Sequence, residues 1–476
     1  MNVPTLATLS TIDVDGSRRF LHPADVKGPL TRWRRLVAVV LLIVYVVLPW
    51  ITINGGPAVF LDVQERRFHF FGLTLATQDL WVAFFLITGV AFGLFYVTAL
   101  FGRIWCGWAC PYTVFLEHVY RRVERWVDGD APARRQLDAA VWGWKKAARR
   151  GLKHGSYLAI SAVIAHIFLS YFVPLKKLYE MMQGPPREHL LAFGMVAFLT
   201  VALYFAFSWF REQFCIILCP YGRLQSALID EHSVVIGYDS RRGEPRGKAR
   251  ASAGAVGDCV DCRRCVQVCP TGIDIRNGLQ LECIGCAACV DACNDIMTKL
   301  HRPQGLVRYD SQVGLQGGKT RYLRARIWFY TVLLCAGMGA FATAAMSITP
   351  LRASAVRMVG APFYLDHHEV RNQFLIRVIN KRNEAVICRT ELIGALPPGL
   401  RSTGLDQEMH LAPFAEEQKT LVLTLPEATY DRPFPVQIKV INTRRGDASM
   451  TRVMEFLGPD PRLKNDVPLN PKDFIR

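Results

Sequence analysis

Five stretches of this 476-residue chain lack Asp, Glu, Lys and Arg altogether: 36–53, 80–100, 155–174, 190–210 and 327–348. Each is close to the ~20 residues that a helix rising ~1.5 Å per residue needs to cross a ~30 Å hydrocarbon core. One such run fits a buried helix of a soluble protein. Five of them, in a chain that is 51% hydrophobic, exclude a simple soluble enzyme and predict five transmembrane helices. Acid is also short, 40 Asp and Glu against 57 Lys and Arg, for a net charge of +17. Beside apolar runs, that balance marks loops held on the cytoplasmic side of a membrane and argues against nucleic acid as a partner. The first apolar run lacks a small-residue cleavage site behind it and reads as a retained helix, not a signal peptide. Scattered disulfide partners are missing too: most of the fourteen cysteines sit in tight clusters, which favours metal.

Lys and Arg alternate along the loops. The tail 1–35 holds 6, loop 54–79 holds 2, 101–154 holds 11, 175–189 holds 3 and 211–326 holds 17. The positive-inside rule then places the N-terminus and the loop 223–326 in the cytoplasm and the C-terminus in the periplasm, for a multi-pass protein of a bacterial inner membrane in contact with its lipid.

Within the large inside loop, "CVDCRRCVQVCP" gives Cys259, Cys262, Cys265, Cys269 and Pro270. The spacing C-x2-C-x2-C-x3-C-P is the bacterial ferredoxin run, in which three thiolates reach one iron–sulfur cube and the fourth reaches another. "CIGCAACVDACN" repeats it with Cys283, Cys286, Cys289 and Cys293, and Asn294 stands where proline is usual, a change expected to loosen one turn without costing a ligand. The expected exchange gives one 4Fe–4S cluster to Cys259, Cys262, Cys265 and Cys293 and the other to Cys283, Cys286, Cys289 and Cys269. Zinc sites pair two knuckles across a spacer, so eight cysteines in two ferredoxin runs favour iron and sulfide.

A second duplication carries four more thiols. "FGRIWCGWACPY" from Phe101 and "FREQFCIILCPY" from Phe210 align at an offset of 109 and share Phe, Cys, Cys, Pro and Tyr. Each copy is two apolar segments followed by C-x3-C-P-Y, the arrangement of parallel repeats about an axis along the membrane normal. Cys106, Cys110, Cys215 and Cys219 are therefore expected to converge at the inside surface. Cysteines four apart on a helix would share one face, which suits joint metal ligation, and soft sulfur favours Cu(I) over Cu(II). Pro111 and Pro220 are expected to open helices. The run after Pro111 reads as an interfacial helix with Arg121, Arg122 and Arg125 opposite an apolar stripe. Solitary Cys335 and Cys388 read as inert buried residues. His166, inside the third run, reads as facing the bundle, either as a hydrogen bonder or as a ligand. The pair His367–His368 has no spacing that supports a metal role.

Beyond Pro350 the period becomes two. "FLIRVINK", "KTLVLTLP" and "PVQIKVIN" alternate apolar and polar residues between turn signals, which reads as a β-sandwich with no catalytic constellation. The predicted organisation is a tail 1–35, a four-helix membrane domain 36–222, a loop 223–326 with the ferredoxin domain at about 255–300, a fifth helix 327–348 and a sandwich 350–476.

This order of parts resembles the cytochrome c oxidase accessory protein family, CcoG, also called FixG or RdxA. The resemblance implies an Ig-like C-terminal domain and a cupric reductase that supplies Cu(I) to the haem–copper centre of cbb-type cytochrome c oxidase. It implies copper chaperones or a transporter and oxidase assembly factors as partners, with the cytoplasmic electron donor unidentified and a homodimer left open. Carried onto this chain, the cluster ligands are the eight cysteines of 259–293, and the copper and catalytic site is Cys106, Cys110, Cys215 and Cys219. Two other readings stay open: a quinol dehydrogenase-type membrane ferredoxin, and a copper-holding assembly factor without turnover. From spacing alone the reading stops at a membrane electron carrier with two clusters and a thiol site.

Overall fold

The computed structural model describes residues 11, 18–53, 56–63, 67–76, 79–247, 256–347, 351–381, 384–394, 396–404, 408–443 and 448–459. It divides into two compact units, 1–53 with 57–342, and 54–56 with 343–476.

Five helices of the described residues are long and apolar enough to cross a membrane: α1 (Pro29–Trp50), α2 (Trp81–Phe101), α3 (Trp144–Leu169), α4 (Pro186–Phe210) and α5 (Ala325–Met346). Their side chains are poorly covered by protein, with Ile87 69% and Leu191 86% exposed, as surfaces meant for lipid are. Two of them, α1 and α3, begin well ahead of their apolar runs, on basic residues. Pro29, at the first helical turn, starts α1 ahead of Arg32, Arg34 and Arg35, and α3 starts at Trp144 and carries Lys145, Lys146, Arg149, Arg150 and Lys153 on its leading turns. Long basic side chains are good helix formers whose charge keeps them out of hydrocarbon but not out of a helix.

The tail before α1 is a strap over the ferredoxin lobe. The Ala24 N–H donates to the Gln267 carbonyl at 2.8 Å, and the Arg264 guanidinium donates to the Asp25 carbonyl at 2.8 Å. Asp291, on the helix Ala288–Lys299, then caps α1 from outside: its carboxylate accepts from the Thr31 N–H and hydroxyl, both at 2.7 Å, and from the Leu30 N–H. A carboxylate at a helix N-terminus satisfies orphan N–H groups and complements the dipole. A Cβ on Gly28 would sit 2.2 Å from Asp291 Cγ, so this approach requires glycine.

In the second unit, strands Glu369–Asn380 and Glu416–Pro426 pair antiparallel with Phe374 opposite Leu421, and Leu351–Arg357, Tyr364–Asp366 and Arg401–Thr403 complete a five-stranded sheet. A four-stranded sheet is ordered Met409–Leu411, Val386–Ile393, Phe434–Asn442, Ala448–Phe456. Alternate residues such as Val370, Phe374, Leu423, Val436 and Ile438 bury in one core, as two half-buried sheets facing each other require. Cys388 is buried there, as expected, whereas Cys335, on the spanning helix α5, is not covered by protein. The side chain of His166 is engaged with its own helix, Nδ1 lying 2.7 Å from the Ala162 carbonyl.

Candidate electron-transfer and metal centre

The two ferredoxin runs take the same backbone path. Asp261 and Arg263 in the first, and Gly285 and Ala287 in the second, occupy equivalent positions, and all four have positive φ. These left-handed turns curl each loop so that its thiols point inward. Burial pushes the Cys265 and Cys283 thiols up to about 12 and Cys293 up to about 11. Neighbouring thiols add to the shift in two sets. Cys293 feels Cys259 and Cys262, and Cys265 feels Cys293 and Cys262. Cys283 feels Cys269 and Cys286, while Cys289 feels Cys286, Cys283 and Cys269 most and Cys265 after them. In each group the strongest neighbours include one cysteine of the other run, Cys293 in the first and Cys269 in the second. Of the eight thiols Cys259, Cys265, Cys286 and Cys289 are buried, Cys269, Cys283 and Cys293 half-buried and Cys262 exposed; so many clustered thiols are costly as anions unless cationic metal neutralises them, and the donor set fits two iron–sulfur cubes.

Asn294 does not loosen a turn, which corrects that expectation. Pro270 terminates the first run, but at the matching place the helix Ala288–Lys299 continues through Asn294, whose Oδ1 accepts the Gly305 N–H at 2.9 Å. Without proline, nothing removes the N–H that a helix needs.

The duplicated membrane motif keeps its symmetry in three dimensions. After each Phe the chain breaks out of helix at Gly102 (φ 55, ψ −131) and at Arg211 (φ 47, ψ −125), residues 109 apart. The two tyrosines cross over. Tyr112 donates to the Arg211 carbonyl at 2.6 Å and to Ala206, in the second copy, while the Tyr221 hydroxyl meets Thr98 at 2.6 Å in the first. The cysteines of a copy do not share one helix, contrary to expectation. Cys106 lies within Ile104–Trp108, whereas Cys110 and Cys219 are N-caps of the helices that Pro111 and Pro220 open.

The four thiols lie within electrostatic reach of one another. Burial raises Cys215 to about 12, and Cys110, Cys106 and Cys219 add to it, while Arg103 opposes. Burial also raises Cys110, beside Cys106 and Cys219. Among the described residues no three Cys, His, Asp or Glu side chains close on a single-ion point. The Gln225 amide nitrogen lies 3.4 Å from Cys106 Sγ, and its carbonyl oxygen accepts from Arg103 Nε at 2.6 Å. Arg103 also reaches the Leu281 carbonyl, which ties the motif to the ferredoxin lobe. The main chains touch. A Cβ on Gly107 would sit 2.6 Å from the Ile284 carbonyl and 2.8 Å from Cys286 Cα, and one on Gly285 would sit 3.0 Å from the Arg103 carbonyl. Glycine at both positions lets "WCGW" lie directly on "CIGC". The Trp108 indole donates to Tyr309, whose hydroxyl donates to the Gly285 carbonyl at 2.6 Å, closing the contact.

The segment after Pro111 corrects another expectation. Arg121 does not face water: it is fully buried, paired with Glu117 and with Glu212 at 2.8 Å, and donating to the Pro270 carbonyl at 3.2 Å. Glu124 likewise meets Arg211 at 3.1 Å and Arg134 at 3.4 Å. Burial alone would raise Glu117 and Glu124, but the surrounding guanidinium groups hold both down at about 2. This network joins the first motif, the second motif and the ferredoxin lobe through shared partners, the circumstance in which buried charges are retained. The sequence does hold a signal for it: Arg103, Arg211 and Glu212 stand at the ends of charge-free runs, a few residues before a motif cysteine.

Comparison with known proteins agrees with this anatomy. A 4Fe–4S dicluster domain family matches residues 210–312, and a family described as an IG-like fold at the C-terminal of FixG matches 341–459. A 4Fe–4S binding domain family matches 81–128. Protein RdxA of Cereibacter sphaeroides is 34% identical over 428 residues, 86% of this chain and 90% of that protein. This chain belongs to the FixG/RdxA family. Nitrogen fixation protein FixG of Rhizobium meliloti is 41% identical over 304 residues, covering 61% of this chain and 57% of FixG's own length. The ferredoxin-type protein NapH of Haemophilus influenzae is 24% identical over 48% of this chain and 71% of its own. The chain is thus a membrane iron–sulfur electron-transfer protein of the FixG/RdxA family, with an Ig-like C-terminal domain.

Proposed function

We propose that this protein is a cupric reductase that passes electrons from its ferredoxin lobe to Cu(II) at Cys106, Cys110, Cys215 and Cys219, yielding Cu(I) for the assembly of a cbb-type cytochrome c oxidase. The observation that carries the reading is the main-chain contact between Gly107 and Cys286, which sets the thiol site against one cysteine set of the ferredoxin lobe. In this reading Cys259, Cys262, Cys265 and Cys293 hold one 4Fe–4S cluster, and Cys283, Cys286, Cys289 and Cys269 the other. When bound, such clusters supply one-electron transfer. Each Cu(II) takes one electron, and thiolate sulfur favours the Cu(I) product. Arg103 and Gln225 position Cys106, and the approach of Gly107 to Ile284 and Cys286 and of Gly285 to Arg103 holds the two loops main chain to main chain. Anaerobic purification followed by a cupric reduction assay tests the reading, which an enzyme with full clusters and no Cu(II) turnover would sink.

A second reading has the four membrane thiols hold iron. It is favoured by the 4Fe–4S binding family match over 81–128, which contains Cys106 and Cys110 as its only cysteines. Metal analysis separates the two. Copper as cargo gives about eight iron and eight sulfide per chain, two cubes' worth, whereas a third cube gives about twelve of each.

The topology proposed from the Lys and Arg counts is an N-terminus and ferredoxin lobe in the cytoplasm with the Ig-like domain in the periplasm. Reporter fusions after Leu100 and Phe210 are expected to work only as cytoplasmic reporters, and fusions after Ile348 only as periplasmic ones. An even number of spans would overturn this.

A further inference from the structure

A groove of about 800 Å³ opens at the end of the helix bundle where α3 begins and α4 finishes. Its walls are aromatic, including Phe20, Trp142, Tyr157, Tyr204 and Trp209. One polar feature stands out. The His22 side chain is 7% exposed, and its Nε2 is held 2.5 Å from Asp138 Oδ2, while its Nδ1 has no hydrogen-bond partner. Nδ1 lies 3.9 Å from Glu124 Oε1, a separation that a ligand hydroxyl can bridge. Burial lowers the pKa of His22, so the ring is neutral at physiological pH. A neutral imidazole whose Nε2–H donates to a carboxylate presents Nδ1 as a proton acceptor, the orientation an Asp–His pair imposes on a general base. Across the groove the Tyr204 hydroxyl and His154 Nδ1, 3.0 Å apart, form a second polar station.

We propose that this groove binds a membrane quinol, with His22 as its proton acceptor and Asp138 as the residue that positions His22. The ring is the occupant that the charges favour. The cations lining the groove are already paired, Lys153 with Asp128 at 2.8 Å, Arg150 with Asp128 and Asp138, and Arg211 with Glu124, so a lipid phosphate finds no unpaired Lys or Arg among its described lining residues. A flat, uncharged ring with hydroxyl groups matches aromatic walls and an unpartnered acceptor. The buried network links the groove to the ferredoxin lobe: Arg211 contacts Glu212, Glu212 pairs with Arg121, and Arg121 donates to Pro270, next to Cys269. Oxidation breaks two O–H bonds of the quinol and yields a quinone, two protons and two electrons. His22 takes the protons in turn and passes them through the partly exposed Asp138 to water, and the two electrons go to the ferredoxin lobe, one for each iron–sulfur centre. This assigns the electron source and does not depend on copper as the acceptor.

The test is direct binding to the purified full chain without copper, followed by tryptophan fluorescence as a short-chain ubiquinone or menaquinone is titrated in. Saturable quenching is expected for one ring class. His22→Phe keeps the bulk and removes the acceptor, and should raise the apparent Kd about tenfold, the scale of one lost hydrogen bond. Ser208→Phe adds bulk to the groove wall while leaving His22 in place and should abolish quenching, with iron content unchanged in both variants as the check on folding. Anaerobic quinol should bleach the visible absorption of the native protein but not of either variant. The proposal is overturned if neither ring class binds saturably, if both variants bind as the native chain does, or if a copurified anionic phospholipid fills the groove and quinone does not displace it.

Discussion

Replacing Cys219 by Ser is expected to leave the iron and sulfide content of the protein unchanged while abolishing copper binding and cupric reduction, and Cys110→Ser is expected to do the same. Both residues are N-caps of helices that open on proline, with extended backbone at φ −67, ψ 112 and φ −61, ψ 123. Serine is among the preferred residues at that position, so the substitution exchanges sulfur for oxygen where the fold tolerates it. What changes is the chemistry of the site, because a hydroxyl is neither soft nor anionic at neutral pH and so does not replace a Cu(I) ligand. Losing a ligand costs more than losing a hydrogen bond to one, which alone weakens metal sites by ~10–100-fold. Copper affinity measured by competition with a Cu(I) chelator, together with iron analysis of the same samples, decides the matter. Loss of iron from these variants would mean that the membrane cysteines ligate or support a cluster. Unchanged cupric reduction would move that step to the ferredoxin lobe.

Much of this architecture is legible in the sequence because its signals are local. Charge-free runs mark the spans, a run of four cysteines with fixed gaps marks each ferredoxin loop, and period-two alternation marks the sandwich strands at 374–381, 419–426 and 435–442. The 109-residue repeat also predicts that the two membrane motifs belong together. It does not show how, since the exchange of Tyr112 and Tyr221 between copies depends on helix ends distant in sequence. The errors have a common cause. Arg121 reads as a solvated charge because its partners Glu212 and Pro270 lie 91 and 149 residues away. Lys145 to Lys153 read as a loop because the apolar run begins after them, although helix propensity does not stop where hydropathy does. The groove around His22 leaves no trace in any motif, being assembled from the tail, the segment after Pro111 and the ends of α3 and α4.

At Gly107 the main chains of the two halves of the proposed electron path touch, and Gly107→Val is expected to uncouple them. Its new Cβ would meet the Ile284 carbonyl at 2.6 Å and Cys286 Cα and N at 2.8 Å, all backbone atoms that cannot rotate aside. The loops must therefore part, at an overpacking cost of about 1–3 kcal/mol that a protein of this size tolerates. Cys106, next in sequence, is held in place by Gln225 on one side and by this contact on the other. A displacement of about 1 Å at a preorganised site costs up to ~100-fold in rate, so cupric reduction should fall on that scale. Copper should still bind, because the four thiols are intact, and dithionite should still bleach the iron–sulfur absorption. Gly107→Ala, with the same first contact but no branch, should lie between. Stopped-flow measurement separates cluster reduction from copper reduction in each variant. Full-speed copper reduction in Gly107→Val would show that electrons reach the thiols by another route, and loss of iron would show that the contact serves folding instead.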